Sequence, residues 1–171
     1  MMDNNSHSSS TPQRHISVPN EILIPEMAAL IREGHTVTFV VRGFSMRPFL
    51  EHERDRVRLC AVGSHVIAAN DVVLAEIAPK RYVLHRVERN DDGHLTLRGD
   101  GNVVGREYCT TNDVIGIVDA FYRKGREKAD LACGRKWRLY SALWPSSPIL
   151  RRIILGLRRR LWLPLFHQNI K

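Results

Sequence analysis

Val37-Thr-Phe-Val-Val-Arg-Gly-Phe-Ser-Met-Arg-Pro48 is an alternating apolar run that ends in a serine-bearing turn. Val37, Phe39 and Val41 alternate with Thr38, Val40 and Arg42. That is the period of a half-buried strand, and β-branched residues favour its pleated backbone. Gly43 permits a tight backbone, and Pro48 biases Arg47 toward an extended conformation. The stretch therefore predicts a strand that stops and presents Ser45 rather than enclosing it in a regular element. A serine beside a glycine is by itself ordinary turn chemistry; the surrounding chain gives it a further meaning.

Upstream, residues 20–34 predict a short helix. Asn20 is the expected N-cap, Ile22, Leu23, Met27, Leu30 and Ile31 recur at helical spacing, and Gly34 is placed to end it. Downstream, residues 55–60, 72–77, 81–88, 95–98 and 114–121 read as further strands, with Asn90-Asp-Asp-Gly93 as a hairpin turn and Gly116 as a bulge position. Six short strands behind one helix predict a mainly β, α+β domain of partly open barrel character. Residues 1–19, rich in Ser, Asn, His and Pro, read as a disordered arm, 20–122 as the β domain and 123–171 as a helical tail.

Charge divides the chain at the same place. Residues 1–121 carry 13 Lys and Arg against 16 Asp and Glu, whereas 122–171 carry 13 against 2. A nucleic-acid-binding domain is expected to carry its basic charge on the folded core, so no nucleic acid is expected as a partner. The tail interleaves Ile153, Ile154, Leu155, Leu157, Leu161, Trp162, Leu163, Leu165 and Phe166 with Arg151, Arg152, Arg158, Arg159 and Arg160. The two arginine clusters, seven residues apart, fall on one side of a helix. Such an amphipathic basic segment is expected either to lie in a membrane interface through those five arginines or to pack as a C-terminal helix. Cys60, Cys109 and Cys133 are odd in number and lack metal-like spacing, which fits buried free thiols in a reducing compartment, cytoplasmic or at a membrane surface. No metal or other cofactor is expected.

Ser45 needs a base if its hydroxyl is to be a nucleophile. His85 is the best placed of the eight histidines, because it lies inside the apolar run Tyr82-Val-Leu-His-Arg-Val87 and would share a strand face with Val83 and Val87. A strand histidine is also a common structural residue. Arg98-Gly-Asp-Gly-Asn102 reads as a turn, and its Asp100 could orient an imidazole and stabilise the imidazolium.

Gly43-Phe-Ser-Met-Arg-Pro48, Asn70-Asp-Val-Val-Leu74, Val83-Leu-His-Arg-Val87, Arg98-Gly-Asp-Gly-Asn102 and Ile115-Gly-Ile-Val118, in that order, resemble the serine-peptidase clan that holds the signal peptidases and the LexA-like self-cleaving repressors. The resemblance covers roughly residues 36–121 and is closest to the histidine-type signal peptidases of archaea and the endoplasmic reticulum. It implies a LexA/signal-peptidase-like β fold, an extended peptide or precursor-protein substrate docking as an added strand, Ser45 as nucleophile, His85 as base and Asp100 as orienting acid. The chain departs from the pattern at Gly43, where signal peptidases usually carry a serine hydroxyl, and at Val104-Gly-Arg-Glu107, where the histidine-type enzymes carry an aspartate pair. The orienting acid is thus open between Asp100 and Glu107. The alternatives are a non-catalytic peptide-binding or regulatory module on the same fold and a LexA-like self-cleaving regulator. No DNA-binding domain is legible in the short polar N-terminus, which argues against the latter.

Overall fold

The computed structural model describes residues 19–161, so the expected disordered arm except Pro19, and the apolar residues from Trp162 to Phe166, lie outside the described residues. Helix α1 (Asn20–Arg32) opens the fold. It ends where Gly34 takes φ +90°, with the Gly34 amide donating to the Ile31 carbonyl and the His35 amide to that of Leu30. This is the Schellman arrangement that a glycine without a Cβ penalty permits. The start differs from expectation, because Pro19 holds the N-cap position and no side chain caps the helix. The buried stripe differs too: Ile24, Met27 and Ile31 face the core, while Ile22 and Leu30 are exposed. A stripe of this width can be drawn in more than one rotation, and packing against the sheet selects one.

Eight strands follow among the described residues: β1 (Val37–Val40), β2 (Arg56–Cys60), β3 (Val72–Ala78), β4 (Arg81–Asp91), β5 (His94–Arg98), β6 (Glu107–Thr110), β7 (Val114–Tyr122) and β8 (Asp130–Leu131). They pair antiparallel in the order β1-β2-β7-β3-β4-β5-β6, with β8 added on β7. The molecule is mainly β, and the sheet does not close. Asp92 and Gly93, with φ of +47° and +91°, form the two-residue turn between β4 and β5, the geometry that suits the twist of a hairpin. The register slips beside Gly116, where Leu74 pairs with Gly116 but Ala75 with Val114. A Cβ on Gly116 would stand 3.0 Å from the Cys60 carbonyl oxygen and 3.2 Å from Ile31 Cδ1, so this glycine also seats α1 on the sheet.

The central strand β3 is buried on both faces. Val72 and Leu74 enter a core shared with α1, Val57, Leu59 and Phe121; Val73 enters a second core with Val87, Leu95, Leu97 and Ile117. Packing continues past residue 122, where the charge changes. Trp137 of helix α2 (Arg135–Leu143) is buried against Phe49 and Phe121, at ring-centroid distances of 4.7 and 4.8 Å. Helix α3 (Pro148–Leu161) is fastened differently from the expectation that its two arginine clusters share one side. Arg151 is buried and Arg158 reaches back to Glu51 Oε2 at 2.8 Å, while Arg152, Arg159 and Arg160 stay exposed. Cys60 and Cys109 are half-buried, but Cys133 is exposed, unlike the buried thiol expected there.

Candidate active site

Ser45 sits where β1 leaves the sheet. Val41 still pairs with the Asp55 carbonyl, then Gly43 at φ +93° turns the chain, and Met46, Phe49 and Leu50 drop into the core. The return of this loop is held by Asp55, which is fully buried and accepts from the Arg54 guanidinium and from the amides of Glu51 and Lys124. Burial opposes its charge, but those donors hold its carboxyl below the ordinary aspartate range. On the outer side Arg47 stacks 4.1 Å from the Phe44 ring and pairs with Glu51, and the Gly43 amide donates to His52 Nδ1 at 3.0 Å. Ser45 is therefore half-exposed on a loop anchored at both ends.

The Gly99-Asp100-Gly101 block lies directly against this loop. The Gly101 amide donates to the Ser45 carbonyl at 2.7 Å. A Cβ on Gly101 would stand 2.5 Å from the Phe44 carbonyl oxygen, and one on Gly99 would collide with the Ser45 carbonyl oxygen. Both glycines are needed because two backbones pass with no room for a side chain. The same hypothetical Gly99 Cβ would be 2.9 Å from Ser45 Cβ and 3.0 Å from His85 Nε2. Serine and histidine, 40 positions apart in the chain, thus adjoin one point over Gly99. No hydrogen bond joins their side chains among the described residues.

His85 is 4 % exposed and lies on β4 with Val83 and Val87 on its own face, as the alternation predicts. Its Nδ1 meets Glu107 Oε2 at 2.9 Å, which leaves Nε2 directed to the Ser45 side. Burial pushes the imidazole below its ordinary value, while Glu107, and more weakly Asp100, pull it back up. The imidazole is consequently neutral and able to accept a proton at neutral pH.

Of the two carboxylates that the sequence left open, Glu107 is the one on His85. Asp100 is fully buried and belongs to a different set: Arg86 Nε and Nη2 grip its two oxygens at 2.9 and 2.7 Å, and the Tyr140 hydroxyl donates to Oδ2 at 2.8 Å. Burial, with Asp100 beside it, drives the Tyr140 phenol far up, so it remains a donor. Arg86 also lies 4.5 Å from the Trp137 ring. The sequence reading passed over Tyr140, Arg86 and the close approach of Gly99 and Gly101. The paired glycines were the available signal, since a turn needs one of them and two closely spaced ones mark backbone contact.

Strand β1 is hydrogen-bonded to β2 alone among the described strands. Beside it lies a cleft of about 290 Å³ lined by Phe39 and Arg42, Leu23 of α1, and Leu74, Tyr82 and Leu84. Among the described residues, no cluster of His, Cys, Asp and Glu could hold a metal ion. Comparison with protein-family models and with curated proteins gives no match.

Proposed function

We propose that this chain is a serine endopeptidase of the signal-peptidase-like type, with the fold of that clan, cleaving an extended segment of a peptide or precursor protein through an acyl-enzyme. The observation that carries the proposal is the convergence over Gly99: Ser45 Cβ and His85 Nε2 lie about 3 Å from one point, and the opposite nitrogen of the same imidazole is held by Glu107. A buried imidazole held at one nitrogen by a carboxylate, with its other nitrogen beside a half-exposed serine, supplies the components a serine nucleophile requires. The ordered sequence blocks support the same reading. Asp100, in this proposal, is a positioning residue that shapes the glycine loop, and Glu107 takes the orienting role.

In the reaction, Ser45 Oγ attacks the scissile carbonyl carbon as its proton passes to His85 Nε2. The tetrahedral intermediate collapses, the C–N bond breaks, and the imidazolium returns that proton to the departing amine. Water, deprotonated by the same nitrogen, then releases the acyl group and restores Ser45. Gly43 supplies no hydroxyl to the oxyanion. Backbone amides would have to serve, among them that of Ser45, which makes no hydrogen bond among the described residues. The free edge of β1 runs into Ser45 and suits a substrate strand, with the adjoining apolar cleft receiving side chains.

Candidate precursor peptides, or a proteome digest, incubated with the protein and read by mass spectrometry test the chemistry. Ser45→Ala and His85→Ala should each abolish product, and a fluorophosphonate probe should label wild type but not Ser45→Ala. Cleavage retained by Ser45→Ala would overturn the mechanism. Peptide binding without cleavage or labelling in wild type would favour a non-catalytic module.

A further inference from the structure

Helix α3 carries its charge and its apolar surface in an unexpected arrangement. Arg151, Leu155 and Arg158, spaced by four and three residues, form the face turned to the domain. Arg151 Nε donates to the Pro145 carbonyl at 2.7 Å, and its Nη1 donates to the carbonyls of Gly99 and Asn102 at 3.1 and 3.3 Å; Arg158 pairs with Glu51. The opposite arc is apolar. Ile149, Leu150, Ile153, Ile154 and Leu157 are 38–71 % exposed. Arg152 and Arg159, also exposed and seven residues apart, line one flank of that arc, and Arg160 closes its end. At about 100° per residue the five apolar side chains sweep roughly 140° of the helix.

We propose that α3 docks with this apolar arc down on an anionic lipid surface, independently of whether Ser45 is catalytic. Two properties select that occupant. The segment 148–161 contains no Asp or Glu and no polar side chain other than arginine, so it offers a partner only apolar area and diffuse positive charge. An anionic bilayer interface supplies the complement of both, an apolar phase below and negative headgroups at the level of the flanking guanidiniums. The two arginines with fixed acceptors in the domain, Arg151 and Arg158, are not lipid contacts. They tie the helix to the Gly99 carbonyl and to Glu51, one in each of the two loops that meet at Ser45. Docking through α3 therefore holds the candidate site beside the interface.

Co-sedimentation of the full chain with phosphatidylcholine vesicles, with and without phosphatidylglycerol, tests this. Wild type should partition onto the phosphatidylglycerol vesicles and come off as salt is raised. The pair Ile153→Ser and Leu157→Ser should lower the partition coefficient about tenfold or more. Arg152→Gln with Arg159→Gln should lower it several-fold and reduce the preference for phosphatidylglycerol, whereas Arg158→Gln should leave it unchanged. All these side chains but Arg158 are exposed, so circular dichroism and melting temperature should match wild type for both pairs. Absence of wild-type binding, or equal binding by the apolar pair, would overturn the proposal. A dimer that forms without vesicles and is dissociated by the same apolar pair would overturn it in favour of a second copy of the chain.

Discussion

His85 and Arg86 are neighbours on β4, point to opposite faces of the sheet, and each meets a carboxylate. On the Arg86 face both partners are sealed: Arg86 is 4 % and Asp100 0 % exposed, and each carboxylate oxygen has a donor. On the His85 face the carboxylate partner stays at the rim, with the Glu107 side chain 17 % exposed, and the imidazole's second nitrogen adjoins a serine rather than another fixed acceptor. The same kind of contact thus serves two ends. A permanently charged guanidinium gripped on two oxygens fixes geometry. An imidazole held at one nitrogen is fixed in orientation while keeping the other free to exchange a proton.

Breaking the sealed side should have the largest effect. Asp100→Ala leaves the Arg86 guanidinium buried without a carboxylate bonded to it, against Asn70 Oδ1 and the Trp137 and Tyr140 rings. Stranding one member of a buried pair costs about 3–5 kcal/mol, a large share of the roughly 5–15 kcal/mol that holds a domain. Urea unfolding should show a lower midpoint with the slope unchanged, and a midpoint equal to that of wild type would remove Asp100 from the architecture.

Glu107→Gln breaks the other side and should spare the fold, because a partly exposed amide can stay hydrated. On the reading of Ser45 and His85 as a catalytic pair, turnover should fall by about 10⁴-fold, the scale on which an orienting carboxylate acts. The sign of the pH effect is fixed by the cause. Glu107 raises the His85 pKa against the lowering effect of burial. Its removal lowers that pKa further, so the acid limb of kcat/KM, which reports the free enzyme's base, moves to lower pH. An acid limb that stays in place or moves to higher pH would show that Glu107 does not govern the imidazole.

The sequence carried one side of this comparison better than the other. The alternation in Tyr82–Val87 placed His85 on the face of Val83 and Val87 because a strand's period is fixed by its backbone. The β4–β5 turn and the break after β1 were legible for a similar reason, since Asp92-Gly93 and Gly43 answer to local conformation. Glu107 was harder, because Glu107-Tyr-Cys-Thr110 is a four-residue edge strand with too little alternation to be read, and its place two strands from His85 follows from β5 pairing with both β4 and β6. Asp100 is a catalytic candidate in the sequence because an acid is wanted to orient an imidazole and the family resemblance puts one in the Gly-Asp-Gly turn. Its capture by Tyr140 depends on how α2 returns across the sheet, which no local pattern states. The arginines of α3 illustrate the same limit: their seven-residue spacing suggests one shared side, but each cluster is split, and which arginines face inward is set by the carbonyls of Gly99 and Asn102 and by the Glu51 carboxylate.

Tyr140→Phe is the smallest change and the sharpest test of the division between the two faces. It removes one hydroxyl from Asp100 Oδ2 while Arg86 keeps both of its bonds, so the carboxylate stays paired. A hydrogen bond to a charged group is worth about 1.5–3 kcal/mol, and the stability loss should fall there, below that of Asp100→Ala. The imidazole should scarcely register it, because burial and Glu107 outweigh Asp100 in setting the charge on His85. The acid limb of kcat/KM should therefore coincide with that of wild type even as the melting temperature drops. If Tyr140→Phe moves that limb as far as Glu107→Gln does, the two faces of β4 are not separate devices, and Asp100 regains the place beside His85 that the sequence first suggested.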